Sequence, residues 1–199
     1  MNRYFSIQAG RVRRPEGSFF GNAARLMAAI FFLIFSIALT NGEVDRANQV
    51  KAVFLFRLTQ FVEWPARAFE FSQSPIIIGV LGEDPFGEAL AAAIKGEKVG
   101  ERPLIIRYYR RVEEVQACHV LFISRSETAK VDAIVAALMG RSILTVSEIE
   151  DFVLKHHGMI RFMTEQNKVN LRINLETAKA AGLELSSRLL RVAEVVPKR

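Results

Sequence analysis

Histidine, cysteine and closely spaced carboxylates are the side chains that most often do chemistry, and this chain offers few of them in a workable pattern. Its single cysteine is Cys118, followed at once by His119, and its other histidines are the neighbours His156 and His157. Together these four form the only set with soft-metal chemistry, and no spacing among them matches a known metal site. Adjacent histidines in a strand would also point to opposite faces. As a thiol nucleophile Cys118 is poorly placed, since it directly precedes the apolar run His119–Ser124 and reads as a small buried hydrophobe. Glu113–Glu114, Glu148, Glu150 and Asp151 stand among polar helical positions and read as solvated faces. The stretch Gly79-Val-Leu-Gly-Glu-Asp-Pro-Phe-Gly87 has the composition of a strand-to-helix turn. It has neither the glycine spacing of a dinucleotide fingerprint nor the Lys-Ser/Thr pair of a phosphate loop. No Gly-x-Ser-x-Gly elbow occurs, and no nucleophile, base and orienting group come together. These residues predict a protein that is not an enzyme, with no metal site and no cofactor.

Binding chemistry is better represented. Phe54, Phe56, Phe61 and the only tryptophan, Trp64, recur on or just after one helical stretch, with Arg57 among them. Their three- and four-residue steps suit a core face, while Trp64, ahead of the helix-stopping Pro65, equally suits a pocket wall or a partner surface. Further along, Arg161, Arg172 and Asn174 place donors next to apolar strand positions. The candidate ligand- or partner-binding residues are therefore Arg57, Phe61, Trp64, Arg172 and Asn174. Arg107, Arg110 and Arg111 beside Tyr108 and Tyr109 are the one place where stacking and phosphate contact coincide.

The elements that must position these residues follow from hydrophobic periodicity. Helical spacing runs from Ala47 to Glu63, with Val50, Val53, Phe54, Phe61 and Val62 at three- and four-residue steps. Strands are predicted at Ile76–Leu81, Leu104–Tyr109, His119–Ser124 and Ser142–Val146. Helices are predicted at Glu88–Lys95, Glu127–Met139 and Ser147–Leu154, with a helical turn at Val112–Gln116. Continuous apolar runs such as Ile76–Leu81 are what strands buried on both faces require. Strand-helix alternation with connections too long for hairpins builds an α/β fold: a mostly parallel sheet flanked by helices on both faces. The pattern then changes to a hairpin, Met159–Thr164 and Lys168–Ile173 around Glu165-Gln166-Asn167. Helices follow at Leu175–Ala181 and Ser186–Val195, the latter turning Leu189, Leu190 and Val192 toward the core.

Charge is unevenly distributed. The 199 residues carry a formal net charge of +6, yet residues 1–42 contribute +4 of it, through Arg3, Arg11, Arg13, Arg14 and Arg25 against Glu16. The remainder, close to +2, argues against nucleic-acid binding. Behind those arginines Leu26–Leu39 is apolar except for Ser36, fourteen residues long, and ends in Thr40-Asn41-Gly42. That layout matches a cleavable export signal better than a helix crossing about 30 Å of hydrocarbon. The expectation is a signal peptide over 1–42, a single domain over 43–199, and a periplasmic location.

Several phrases, taken in order, resemble the YfiR family of small periplasmic proteins: Val50-Lys-Ala-Val-Phe-Leu-Phe-Arg-Leu-Thr-Gln-Phe-Val-Glu-Trp-Pro65, Ile78–Gly87, Cys118-His-Val-Leu-Phe-Ile-Ser124, Ile143-Leu-Thr-Val-Ser147, Gly158-Met-Ile-Arg-Phe162 and Ile173-Asn-Leu175 with Ser186-Ser-Arg-Leu-Leu190. The resemblance implies an α/β binding domain without catalysis that restrains a membrane diguanylate cyclase through its periplasmic sensor region. An outer-membrane lipoprotein would relieve that restraint, and cyclic di-GMP output and biofilm formation would lie downstream. A homodimer is compatible with it. An exported small-ligand receptor controlling another sensor, such as a histidine kinase, is the alternative. The chain departs from the family pattern in having His157-Gly158 where Gly-Gly is frequent, and in having one cysteine, which leaves no basis for intrachain disulfide control.

Overall fold

The computed structural model describes residues 46–165 and 168–197. The expected signal segment and the tip of the predicted hairpin turn lie outside them. Helix α1 covers residues 46–61 and runs into the short strand β1 (Val62–Glu63). Next come β2 (Ile76–Leu81), α2 (Glu88–Ile94), β3 (Lys98–Val99), β4 (Arg102–Tyr109) and β5 (Val120–Ile123). A 3-10 segment (Arg125–Lys130) leads into α3 (Val131–Leu138), and β6 (Leu144–Ser147) follows. The chain closes with β7 (Ile160–Glu165), β8 (Lys168–Ile173), α4 (Leu175–Ala180), β9 (Glu184–Leu185), α5 (Ser187–Arg191) and β10 (Glu194–Val195).

One eight-stranded sheet has the order β10-β8-β7-β6-β5-β2-β4-β3, and a two-stranded ribbon pairs β1 with β9. Strands β4, β2, β5, β6 and β7 are parallel, as the uninterrupted apolar runs predict. β7 and β8 form the predicted antiparallel hairpin, Ile160 opposite Ile173 and Glu165 opposite Lys168. β2, β5 and β6 are buried along their whole length. One sheet face packs Ile78, Val80, Phe122, Val146 and Phe162 against α1, α2 and α4. The other packs Leu81, Leu121 and Ile123 against α3 and the turn carrying Ile149, Phe152 and Val153. The fold is α/β with helices on both faces.

Four local expectations need correction. Ser147–Leu154 is a series of turns, with Asp151 at φ 55 in the left-handed region where a helix cannot continue. The helix predicted over Glu127–Met139 is α-helical only from Val131. The last helix stops at Arg191, because Glu194–Val195 pairs with β8 as an edge strand, and Val192 is 74% exposed instead of core-facing. The fourth concerns α1, whose core-facing side chains are Ala52, Leu55, Phe56, Leu58 and Thr59, while Val50 and Val53 are 41% and 46% exposed. Of the residues its periodicity singles out, Val62 is buried and Phe54 and Phe61 pack against the core as expected, so only Val50 and Val53 turn outward.

Candidate functional site

The outer stripe of α1 carries two of the residues singled out above. Val50, Val53, Phe54, Arg57, Gln60 and Phe61 follow one another at helical three- and four-residue steps. Arg57 is exposed; its Nη1 donates to Gln60 Oε1 at 3.0 Å and its guanidinium lies 5.6 Å from the Phe56 ring. Phe61 is half-buried, and its carbonyl accepts from the Ser186 N–H at 2.9 Å, tying the end of α1 to the start of α5. Beside the stripe runs a groove of about 830 Å³, lined by Val53, Phe86, Ala89, Ala92 and Ala93, where the small residues of α2 leave room next to α1.

Trp64 leaves the ribbon just after β1 and packs edge-on against His119, 5.8 Å between centroids at 81°. Phe69 stacks on the other part of that imidazole at 4.6 Å, and the Arg102 guanidinium caps Phe69 at 3.6 Å. Arg102 is fixed by donating to the carbonyls of Ser74 at 2.7 Å and Phe71 at 3.2 Å. His119 holds the assembly to the sheet. Its Nδ1 accepts from the Ile77 N–H at 3.0 Å, which leaves the proton on Nε2 to donate to Ala68 O at 3.1 Å. Burial, with a smaller contribution from Arg102, lowers its pKa from 6.5 to about 4, so the ring is neutral at ordinary pH. The Trp64 Nε1–H is buried and finds no acceptor among the described residues.

Arg172 and Asn174 stand elsewhere. Leu171 and Ile173 face the α1 side of the sheet, so Arg172 between them projects to the opposite face, directly across from Arg161. Its Nη2 donates to Glu194 Oε2 at 2.9 Å, and the Nε atoms of both arginines are buried without an acceptor among the described residues. Asn174 caps α4, its Oδ1 accepting the Thr177 N–H at 3.0 Å. The structure therefore keeps Arg57 and Phe61 one turn apart on α1, sets Trp64 just beyond its end against His119, and places Arg172 on the other face of the sheet.

These features sit on the same segments that carry the sequence resemblance: the end of α1 through Trp64–Pro65, strand β5 with His119 at its mouth, and the hairpin beginning at Gly158. A sequence model of the YfiR/HmsC-like family matches residues 48–194. The chain belongs to that family. A comparison with curated proteins gives no match.

In this YfiR/HmsC-like chain the Gly158 of the hairpin motif is required by packing, because a Cβ there would collide with the Phe152 ring. His157 before it adopts φ 57, a conformation that glycine reaches more cheaply. Cys118 is 7% exposed, its thiol donating to Val120 O at 3.1 Å, and burial pushes its pKa up to about 12. Among the described residues no three His, Cys, Asp or Glu side chains stand close enough to hold a metal ion, and no helix is long and apolar enough to cross a membrane.

Sequence reasoning missed one buried charge cluster and misread one of its members. Glu148, expected on a solvated face, is 8% exposed and takes Lys51 of α1 at 3.0 Å and Arg125 at 3.3 Å. The signal was a lysine inside the apolar stretch of α1, where a buried ammonium must find a carboxylate.

Proposed function

We propose that this chain is a periplasmic regulatory binding protein that restrains a membrane diguanylate cyclase by holding the cyclase's periplasmic sensor region. Family membership supports the regulatory role, and the arginine-rich, apolar leader over residues 1–42 supports export with the leader removed. The observation that carries the contact surface is α1, which leaves Val50 and Val53 exposed in line with Phe54, Arg57 and Phe61, beside the groove against α2. Contiguous apolar surface with an arginine at its centre is what a recognition helix offers a partner. Trp64 and its His119 clasp fix the end of that helix. Arg172 and Asn174 act in this reading by holding the hairpin and α4 in place behind it. Restraint is then mass action: binding one state of the sensor region shifts its equilibrium toward that state.

The test is capture from solubilised membranes of the native host with the tagged exported protein, followed by mass spectrometry. The wild type should recover a membrane diguanylate cyclase, and Val53→Asp and Trp64→Ala, shown folded by circular dichroism, should lose it. Recovery of a sensor kinase, or of nothing but a second copy of the chain, refutes the cyclase assignment. Undiminished capture by Val53→Asp refutes the α1 surface.

A further inference from the structure

At the end of the sheet where β5 and β6 begin, a cleft of about 290 Å³ opens between the turn Ala66–Ala68 and the loops before those strands. Its lining includes Arg67, Gln116, Cys118, Arg141 and Ser142. The charge in it is one-signed. Neither Arg67 nor Arg141 has a carboxylate within ion-pair distance among the described residues, whereas Arg111, Arg125 and Arg172 all do. The thiol of Cys118 is neutral, since burial raises its pKa to about 12, and so it supplies no counter-charge.

The backbone, not an acid, fixes the Arg141 guanidinium. Arg141 Nη2 donates to the carbonyls of Val115 and Gln116, which pins its plane at the cleft wall. The Arg67 guanidinium lies against Gly182, at φ 75, where any side chain would meet it. Ser142 Oγ donates to Ala181 O at 2.9 Å and fastens this rim to the end of α4. An arginine held by carbonyls keeps its full charge and its other N–H groups for a ligand, and its planar fork matches an oxyanion. Holding the Arg141 fork in advance removes part of the entropy cost of binding.

We infer that this cleft is an anion site that takes a small oxyanion, either phosphate or a solute carrying a phosphoryl or carboxylate group, between Arg67 and Arg141. The volume lies at the lower end of the range for ligand pockets, about 300 Å³, which limits the occupant to a small molecule. The site is separate from the outer stripe of α1, and it does not depend on the cyclase reading.

The experiment is titration calorimetry of the purified protein, without any partner, against inorganic phosphate and against acetate, with ionic strength held constant by sodium chloride. Saturable one-to-one binding of phosphate or acetate in the millimolar range or tighter is expected. Phosphate alone identifies a phosphoryl ligand; acetate as well, or alone, identifies carboxylates. Arg67→Gln should weaken binding by about tenfold or more, while Arg188→Gln, an exposed arginine on α5, should leave it unchanged. Arg67→Lys, which keeps the charge without the fork, should bind between the two and checks that any loss does not arise from misfolding. Absence of saturable binding to either anion, or equal weakening by Arg67→Gln and Arg188→Gln, overturns the assignment.

Discussion

Acid should loosen the Trp64 segment, and His119 sets where. The ring accepts at Nδ1 from Ile77 and donates from Nε2 to Ala68, so a second proton would have to enter against the Ile77 N–H. That proton would bring an unpaired charge between two aromatic rings and near Arg102. The unfolded chain takes up its proton near pH 6.5 and the folded chain only near 4. Acid therefore favours the unfolded side: the stability held by neutral His119 is whole above pH 6.5, declines below it, and is gone below about 4. The pKa difference sets a ceiling of about 3 kcal/mol, and partial solvent screening brings it to about 2 kcal/mol. Urea unfolding from neutral pH down to pH 4, in wild type and in His119→Gln, isolates this contribution because every carboxylate is common to both. The variant should be weaker at neutral pH by about 1–2 kcal/mol, from lost or bent hydrogen bonds, and the gap should close in acid. Trp64 is the only tryptophan, so its emission should change over the same pH interval in wild type alone. Parallel stability curves for the two proteins would refute the clasp.

The buried cluster on α1 gives an asymmetric pair of mutants. Glu148→Ala leaves the Lys51 ammonium, among the described residues, with Asn48 Oδ1 at 3.4 Å alone and should cost about 3 kcal/mol, whereas Lys51→Met leaves Glu148 with Arg125 and should cost about 1 kcal/mol. Denaturant midpoints at neutral pH decide it, and a costlier Lys51→Met would show the pairing scheme to be wrong. His157→Gly should raise stability by about 0.5–1 kcal/mol, since φ 57 is strained for histidine, and an unchanged melting temperature would count against strain there. Asn174→Ala removes the cap on α4 and should cost about 1 kcal/mol, while Asn174→Asp restores most of it; equal losses in the two variants would deny the capping role.

The sequence was most readable where burial is two-sided. Ile76–Leu81 and Val120–Ile123 are apolar at every position because both faces are covered, and their limits are found within a residue or so. The hairpin was equally plain, since its register follows from alternation: Ile160, Phe162, Leu171 and Ile173 inward, Arg161 and Arg172 on the other face. What escaped was governed by distant partners. β9 and β10 are two residues each and exist because β1 and β8 offer free edges, information that no local window contains. Glu148 looked solvated because its partner lies almost a hundred positions earlier. The candidate residues split for the same reason. Arg57, Phe61 and Trp64 are close in sequence and remain close in space, but Arg172 lies across the sheet from them, a fact that only strand pairing decides.

The topology also says why binding should occur at surfaces other than the customary one. In open parallel sheets ligands settle outside the carboxyl ends of the strands, where successive connections part to opposite sides. Here β2 is flanked by β4 and β5, so that point lies between Leu81–Gly82 and Ile123–Ser124. The crevice is occupied by the chain itself. Ser126 Oγ accepts from the Glu83 N–H at 3.0 Å and packs onto Gly82, and Ser124 N–H donates to Leu81 O at 2.9 Å. One strand further along, Glu148 draws Lys51 over the end of β6 and so seats α1 on the sheet face. The crevice is thus closed by the chain's own segment, and the neighbouring strand end anchors a helix. The consequence is a division of labour: the carboxyl end of β6 ties down α1 through Glu148 and Lys51, the outer side of α1 is left free for a partner, and the anion-seeking arginines gather at the opposite end of the strands. Ser126→Ala should therefore lower stability without altering phosphate titration at the Arg67 cleft. A loss of phosphate binding in that variant would place the anion back at the crevice and dismantle the division.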